Sequence, residues 1–405
     1  MIAVFEPSLA KGTITAPPSK SMAHRLLICA GLCRGKSRVG NVALSRDIQA
    51  TLDCLRALGV AVEIQADSVR ICGVDARSAV PSSDLFCGES GSTLRFFIPI
   101  CLLTDSEITL RGREALLRRP LNVYEDICQQ RGLLFAKTAA AITVRGPLGG
   151  GEYTVSSDIS SQFVSGLLFA LPLLDQDSRI SLLPPVVSRP YIDMTIRALA
   201  CFGVKASWLD ENTISMPGRQ SYSSAAVQVE GDYSNAAFFQ ALDLLGGKVT
   251  VTGLDPESIQ GDKVCTTYFE QLKKGPAVID ITDNPDLGPV LMAVAAALHG
   301  GTLIGTKRLR LKESDRARSM QDELRKFGAT VDVAADSVTV HPADLHAPSG
   351  ILDGHNDHRV VMALSVLAAK YGGRISGAET VAKSMPDFFD ALRSLDVRVT
   401  TKIAD

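Results

Sequence analysis

No stretch of this sequence is both long and apolar enough to cross a bilayer as a helix. An excess of positive charge is missing too: 42 Lys and Arg stand against 44 Asp and Glu, a net charge of -2. General binding to nucleic acid or a membrane surface usually needs such an excess, so a cationic site here must be a local concentration. The nine cysteines contain no C-x-x-C pair and their number is odd, which argues against a disulfide framework and against a zinc site. The N-terminal Met1-Ile2-Ala3-Val4-Phe5-Glu6-Pro7 has no basic leader followed by an apolar core, so a cytoplasmic location is expected. What is present is the balance of a globular chain, 46% hydrophobic and 21% charged, in 405 residues that suggest two or three domains.

The chain repeats itself. One element starts with small polar residues and runs into an apolar helix-length stretch, from Ser19, Ser90, Ser160, Ser234, Asn284 and Asn356. Ser, Asn and Asp at these starts suit helix N-caps, because their side chains accept unpaired backbone N–H groups. A second element alternates with the first, starting near Arg46, Arg119, Arg189, Asp262, Ser314 and Pro386. Its apolar spacing of three and four is helical, and the segments that follow, such as Val60 to Ile64, alternate like strands. The pattern reads as six βαβαββ-like units, the fourth shortened, with three units per domain in an α/β chain. Breaks at Pro17-Pro18 and at Val229 to Asp232 would make residues 20–230 an insertion in a domain formed by 1–19 and 231–405.

Helix N-termini favour anions, and polar or basic residues recur at these starts. Pro17-Pro18-Ser19-Lys20-Ser21-Met22-Ala23-His24-Arg25 puts cations on one side of a helix start, with none of the glycines of a Gly-rich phosphate loop. Gly88-Glu89-Ser90-Gly91-Ser92-Thr93-Leu94-Arg95 permits close backbone approach to a ligand but equally suits a tight turn before a helix. Ser160-Ser161-Gln162 offers hydroxyls and an amide, or a plain cap. Lys312-Glu313-Ser314-Asp315-Arg316 resembles a solvated charge run, and Asp286 an N-cap of an apolar helix. Arg359, in Asn356-Asp357-His358-Arg359, leads into a buried-looking helix, and Lys383 precedes the last repeat helix. The joint pattern is stronger than any member: Lys20, Arg119, Arg316, Arg359 and Lys383 keep phase with the repeat, which scattered surface charges would not.

With PPSKSMAHR, SSQF, SRPY, LKESDR, NDHR and AKSMPD in this order, essentially the whole chain resembles the 5-enolpyruvylshikimate-3-phosphate (EPSP) synthase family of enolpyruvyl transferases. The resemblance implies two domains of three βαβαββ units each, an inside-out α/β barrel with the active site in the interdomain cleft. It implies attack of the 5-hydroxyl of shikimate-3-phosphate on C2 of phosphoenolpyruvate (PEP), protonation of C3, and loss of phosphate, with no cofactor or metal. By family pattern, Lys20, Arg119, Arg316, Arg359 and Lys383 hold the PEP carboxylate and phosphate, with Gly91 and Gln162 against PEP. Ser21, Arg25, Ser160, Ser161, Ser188, Tyr191 and Lys312 hold shikimate-3-phosphate. Asp286 matches the proton acceptor, and Glu313 with Lys20 the proton partner at C3. The resemblance further implies small-molecule partners only, a monomer, no nucleic acid or membrane, and a target of glyphosate.

Two positions depart from the family pattern: Glu89 stands where Asn is common, and Arg308 where a neutral amide is frequent. The sister transferase acting on UDP-N-acetylglucosamine typically has Lys-Asn near the N-terminus and a reactive loop Cys. Here Ser21 follows Lys20, and the Gly112 to Arg119 loop has no Cys. An RNA-terminal phosphate cyclase would need a nucleotide site, and a purely structural repeat protein would leave the phased cations unexplained.

Overall fold

The computed structural model describes residues 1–78, 82–156 and 160–403. The chain divides into two compact units, Lys20–Val229 and Met1–Ser19 with Glu230–Asp405. Each unit has its own core of buried apolar side chains.

In Lys20–Val229 the strands form three four-stranded sheets among the described residues. Ile108–Arg111 runs parallel to Asp84–Phe86 and antiparallel to Ala141–Arg145, which carries Leu134–Lys137 as a hairpin partner. Gly151–Ser156, Ser178–Leu183, Thr213–Met216 and Ser207–Trp208 repeat that order. The third sheet closes with a strand from far along the chain: Ala226–Gln228 pairs parallel with Lys36–Gly40. A helix between the parallel strands of each unit is what lets them lie side by side, since parallel pairing needs a long crossover. Strand residues alternate between buried and exposed, as in Ser178–Leu183.

The other unit follows the same plan. Gly301–Ile304 runs parallel to Ala277–Asp280 and antiparallel to Ser337–Val340, which pairs with Val331–Val333. Its closing sheet takes Ile2–Phe5 from the N-terminus, antiparallel to both Gly373–Ser376 and Val399–Lys402. The shortened fourth repeat has a physical counterpart: Lys248–Thr252 pairs with Lys11–Thr15 in a sheet of two strands, without the usual hairpin.

The first-element helices are apolar on nearly all sides and sit in the cores. Gly288–Ala297 is buried along almost its whole length, as is His358–Tyr371 up to Ala369, the arrangement expected of a helix with no solvent face. Their caps differ in part from the sequence expectation. Ser90 accepts from Thr93 N and Asp357 from Arg359 N. In the fourth repeat the cap is Asp232, accepting from Asn235 N, rather than Ser234. Ser161 and Asn284 make no side-chain cap bond, although Ser160 Oγ accepts from Gln162 N at 3.2 Å. Among the described residues no helix is long and apolar enough to cross a membrane.

Candidate active site

In the unit Lys20–Val229, Lys20 opens helix Lys20–Gly31 and Asp47 lies in the first turn of helix Arg46–Ala57. Lys20 Nζ donates to Asp47 Oδ2 at 2.9 Å, with both side chains largely sheltered from solvent. Asp47 was not among the site residues read from sequence, because its partner is 27 positions away. Arg25 lies below Lys20 on the same helix and is buried. Its guanidinium donates to Thr195 Oγ1 at 2.8 Å, to the Ser21 carbonyl at 2.7 Å and to the Tyr191 carbonyl at 2.9 Å. Burial lowers its pKa to about 10, which still leaves it charged at neutral pH. Arg25 therefore braces Ser21 and Tyr191 as well as carrying charge.

Gly91 begins helix Gly91–Cys101, and any Cβ there would stand 2.7 Å from Arg119 Nη1 and 3.5 Å from Arg95 Nη1. The absent side chain is what allows the arginines to close over that helix start. The tight turn read from sequence is present: Gly88 takes a φ of 60° and Ser90 caps the helix that Gly91 begins. Arg95 is buried and donates to Gln162 Oε1 at 2.7 Å, and Gln162 Nε2 donates to Ser92 Oγ at 2.9 Å. These bonds fix which face of the Gln162 amide is presented. Arg95 went unassigned in sequence, although it lies in the quoted loop. Arg119 does not start a helix: it lies between Glu114–Leu117 and Asn122–Arg131, on the loop itself. Ser188 is buried with a left-handed φ of 55°, the backbone kink that precedes helix Arg189–Cys201.

In the other unit the charges form a compact network. Arg316 is almost wholly buried, so Lys312 to Arg316 is not the solvated run its sequence resembles. Its Nε donates to Asp357 Oδ2 at 2.8 Å, Nη1 to Asp286 Oδ1 at 2.7 Å and Nη2 to Glu313 Oε2 at 2.7 Å. Burial opposes its charge, but Asp357, Glu313 and Asp286 overcome that and raise its pKa. Asp286 is not an N-cap. It makes no cap bond and faces Lys312 Nζ at 3.1 Å, Arg316 Nη1 at 2.7 Å and Arg359 Nη2 at 3.7 Å. Burial would raise its pKa, yet Lys312, Arg359 and Arg316 hold it well below the ordinary carboxylate value. Lys312 is lowered by burial, with Asp286 opposing.

Arg359 is buried, and its Nη1 donates to the Ser234 carbonyl at 3.1 Å. Lys383 Nζ donates to the Asn356 carbonyl at 2.7 Å and to Asn356 Oδ1 at 3.0 Å. His355 and Asn356 take consecutive left-handed φ values of 49° and 52°, a turn that aims that carbonyl at Lys383. Asp357, quoted in the motif but given no role from sequence, links this segment to Arg316 and caps helix His358–Tyr371. Arg308 is buried and donates to the Thr282 carbonyl, and its charge is one of those acting on Lys312. Among the described residues no group of three or more His, Cys, Asp or Glu is placed to hold a metal ion. One unit thus presents Lys, Ser and amide groups at helix starts with arginines beside them, and the other a cation–carboxylate lattice. Both sets suit small anions and proton transfer.

The family model described as EPSP synthase (3-phosphoshikimate 1-carboxyvinyltransferase) matches residues 5–392. A protein of Clostridium kluyveri named 3-phosphoshikimate 1-carboxyvinyltransferase is 39% identical over 412 residues, covering 96% of each chain. One of the same name from Clostridioides difficile is 34% identical, covering 97% of each. The solved EPSP synthase of Acinetobacter baumannii superimposes with a TM-score of 0.78 at 23% identity over 99% of each chain, which speaks for the fold. A match over nearly the whole chain, with relatives of one name, places this protein in the EPSP synthase (3-phosphoshikimate 1-carboxyvinyltransferase) family of transferases.

Proposed function

We propose that this protein transfers the enolpyruvyl group of PEP to the 5-hydroxyl of shikimate-3-phosphate, giving EPSP and phosphate in the shikimate pathway to chorismate and aromatic amino acids. The observation that carries the reading is the whole-chain match to one transferase family, in a chain whose motif residues form these two polar clusters.

Both clusters serve one reaction in this reading. Lys20, Arg119, Arg316, Arg359 and Lys383 hold the carboxylate and phosphate of PEP, beside Gly91 and Gln162. Ser21, Arg25, Ser160, Ser161, Ser188, Tyr191 and Lys312 hold shikimate-3-phosphate. The 5-hydroxyl oxygen attacks C2 of PEP while its proton passes to Asp286 and C3 gains a proton from the ammonium of Lys20, with Glu313 as its partner in that proton transfer. The tetrahedral adduct then loses phosphate from C2 and returns a C3 proton to the Lys20–Glu313 pair, which restores the double bond. Asp286 is ionised in its cationic setting and so able to accept a proton. A carboxylate with a depressed pKa is a weak base, so proton acceptance goes with C–O bond formation instead of preceding it. Fixed cations stabilise the charge on departing phosphate without reorganising. Arg316 supplies charge at short range, its hydrogens being shared with three carboxylates.

The protein acts as a cytoplasmic monomer on these small molecules, and size-exclusion chromatography with light scattering tests the monomer. A phosphate-release assay with PEP and either shikimate-3-phosphate or UDP-N-acetylglucosamine tests the reaction. Release that requires shikimate-3-phosphate is expected. Release with the UDP-sugar instead would move the protein to the sister activity.

A further inference from the structure

Helix Lys20–Gly31 and helix Arg46–Ala57 meet through two polar rungs. Lys20 Nζ reaches Asp47 Oδ2 at 2.9 Å, and one turn further along both helices His24 Nδ1 meets Thr51 Oγ1 at 2.7 Å. Four residues separate the rungs on each helix, about 6 Å of rise, so both rungs form only in one register. Beyond them Gly31 packs directly under Leu55, leaving no space for a side chain at 31.

The second rung has a direction. Thr93 Oγ1 donates to Ser90 Oγ at 2.8 Å, so it accepts from Thr51 Oγ1, 2.8 Å away. With its proton spent there, Thr51 Oγ1 accepts from His24 Nδ1–H. The histidine therefore donates through Nδ1–H; burial keeps the ring neutral, and its buried Nε2 has no partner. All four side chains are buried. The chain of bonds ends at Ser90, the cap of the helix that begins with Gly91. A buried series of this kind holds three helix starts in one arrangement, and a broken link leaves a buried polar group unpaired.

We propose that His24 and Thr51 are positioning residues for the catalytic reaction: their hydrogen bond sets the helix register in which Lys20 meets Asp47, and through Thr93 it steadies the Ser90–Gly91 helix start. This rests on the role given to Lys20 and Gly91 in the proposed function. Neither residue touches substrate in this reading.

The test uses Thr51→Val, Thr51→Ser, His24→Asn and His24→Gln in the full-length protein, with steady-state kinetics for PEP and thermal melting. Thr51→Val keeps the shape and removes the hydroxyl, and kcat/KM for PEP should fall about tenfold or more. Thr51→Ser keeps the hydroxyl, and His24→Asn keeps a donor near the Nδ1 position. Both should stay within about threefold of the parent. His24→Gln carries its amide one carbon too far and should behave like Thr51→Val. Parental kinetics in Thr51→Val with only a lowered melting temperature would overturn the proposal. So would equal kinetics in His24→Asn and His24→Gln. 15N NMR of the histidine ring reads the rung without turnover: a protonated Nδ1 and bare Nε2 are expected, and an Nε2–H form overturns the donation from His24 to Thr51. A parent protein that releases no phosphate from PEP would instead overturn the proposed function, with the ring signals still deciding the rung.

Discussion

Arg316 Nη1 lies 2.7 Å from Asp286 Oδ1, although the two residues are 30 positions apart and each taken alone reads as something ordinary. The pair makes the carboxylate proposed as base part of a buried lattice with Lys312, Arg359, Glu313 and Asp357. Its electrostatic setting, more than its place at a helix start, governs what it can do.

Replacing Asp286 should therefore act on chemistry before fold. In Asp286→Ala, turnover in the phosphate-release assay should fall by about 100- to 10,000-fold, the range for a lost acid–base group. Circular dichroism should show the helices intact, since no cap bond is lost. Near-parental turnover would remove Asp286 from the mechanism.

Asp357 should matter to stability. It is fully buried, pairs with Arg316 Nε at 2.8 Å and caps helix His358–Tyr371. Breaking a buried pair by removing one partner costs about 3–5 kcal/mol. Asp286 and Glu313 still face Arg316 in Asp357→Ala, so a loss near the lower end is expected in denaturant unfolding. A loss within experimental error would show that the other two carboxylates suffice.

Gly91→Ala should separate binding from folding. The new methyl falls 2.7 Å from Arg119 Nη1, the far end of a flexible side chain. Arg119 can swing aside, so the melting temperature should change little. Under the proposed function KM for PEP rises, and glyphosate, which occupies the PEP site, inhibits the parent competitively with PEP and the variant more weakly. An unchanged KM and inhibition constant would place Gly91 away from PEP.

The turn at His355 should carry a pH signature. The hydrogen bond to Glu323, 3.0 Å away, raises His355 above its ordinary 6.5. Burial works against the Glu323 carboxylate, but His355, Lys326 and the Asp353 amide hold it below its ordinary 4.5. The histidine contribution is present below 6.5 and lost as pH rises through its raised value. The glutamate contribution is present above 4.5 and lost as pH falls through its lowered value. The stability difference between parent and His355→Ala should accordingly be largest between those two ordinary values and shrink toward high pH. A difference that grows with pH would contradict the pairing.

Much of the molecule was legible in the amino-acid order, because its signals are local. Helical spacing, strand alternation and the shortened fourth repeat each depend on neighbours a few positions apart, and all reappear in the sheets and buried helices. The family motifs were legible for the same reason: each is a short run of adjacent residues. What only the tertiary structure decided were the partners. Asp286 resembled a cap and Lys312 to Arg316 a solvated run, since nothing nearby in the chain shows that Arg316 is buried among carboxylates from three segments. Arg25 reads in the sequence as one of several cations at a helix start, and only the fold places its hydrogens on Thr195 Oγ1 and the Tyr191 carbonyl, some 170 residues away. Asp47 carried no local signal, because it gains its meaning from Lys20 on another helix. Hydrogen bonds and ion pairs act over about 3–4 Å of space whatever the separation in sequence, so the residue types were set by the chain and their pairing by the packing of helices against one another.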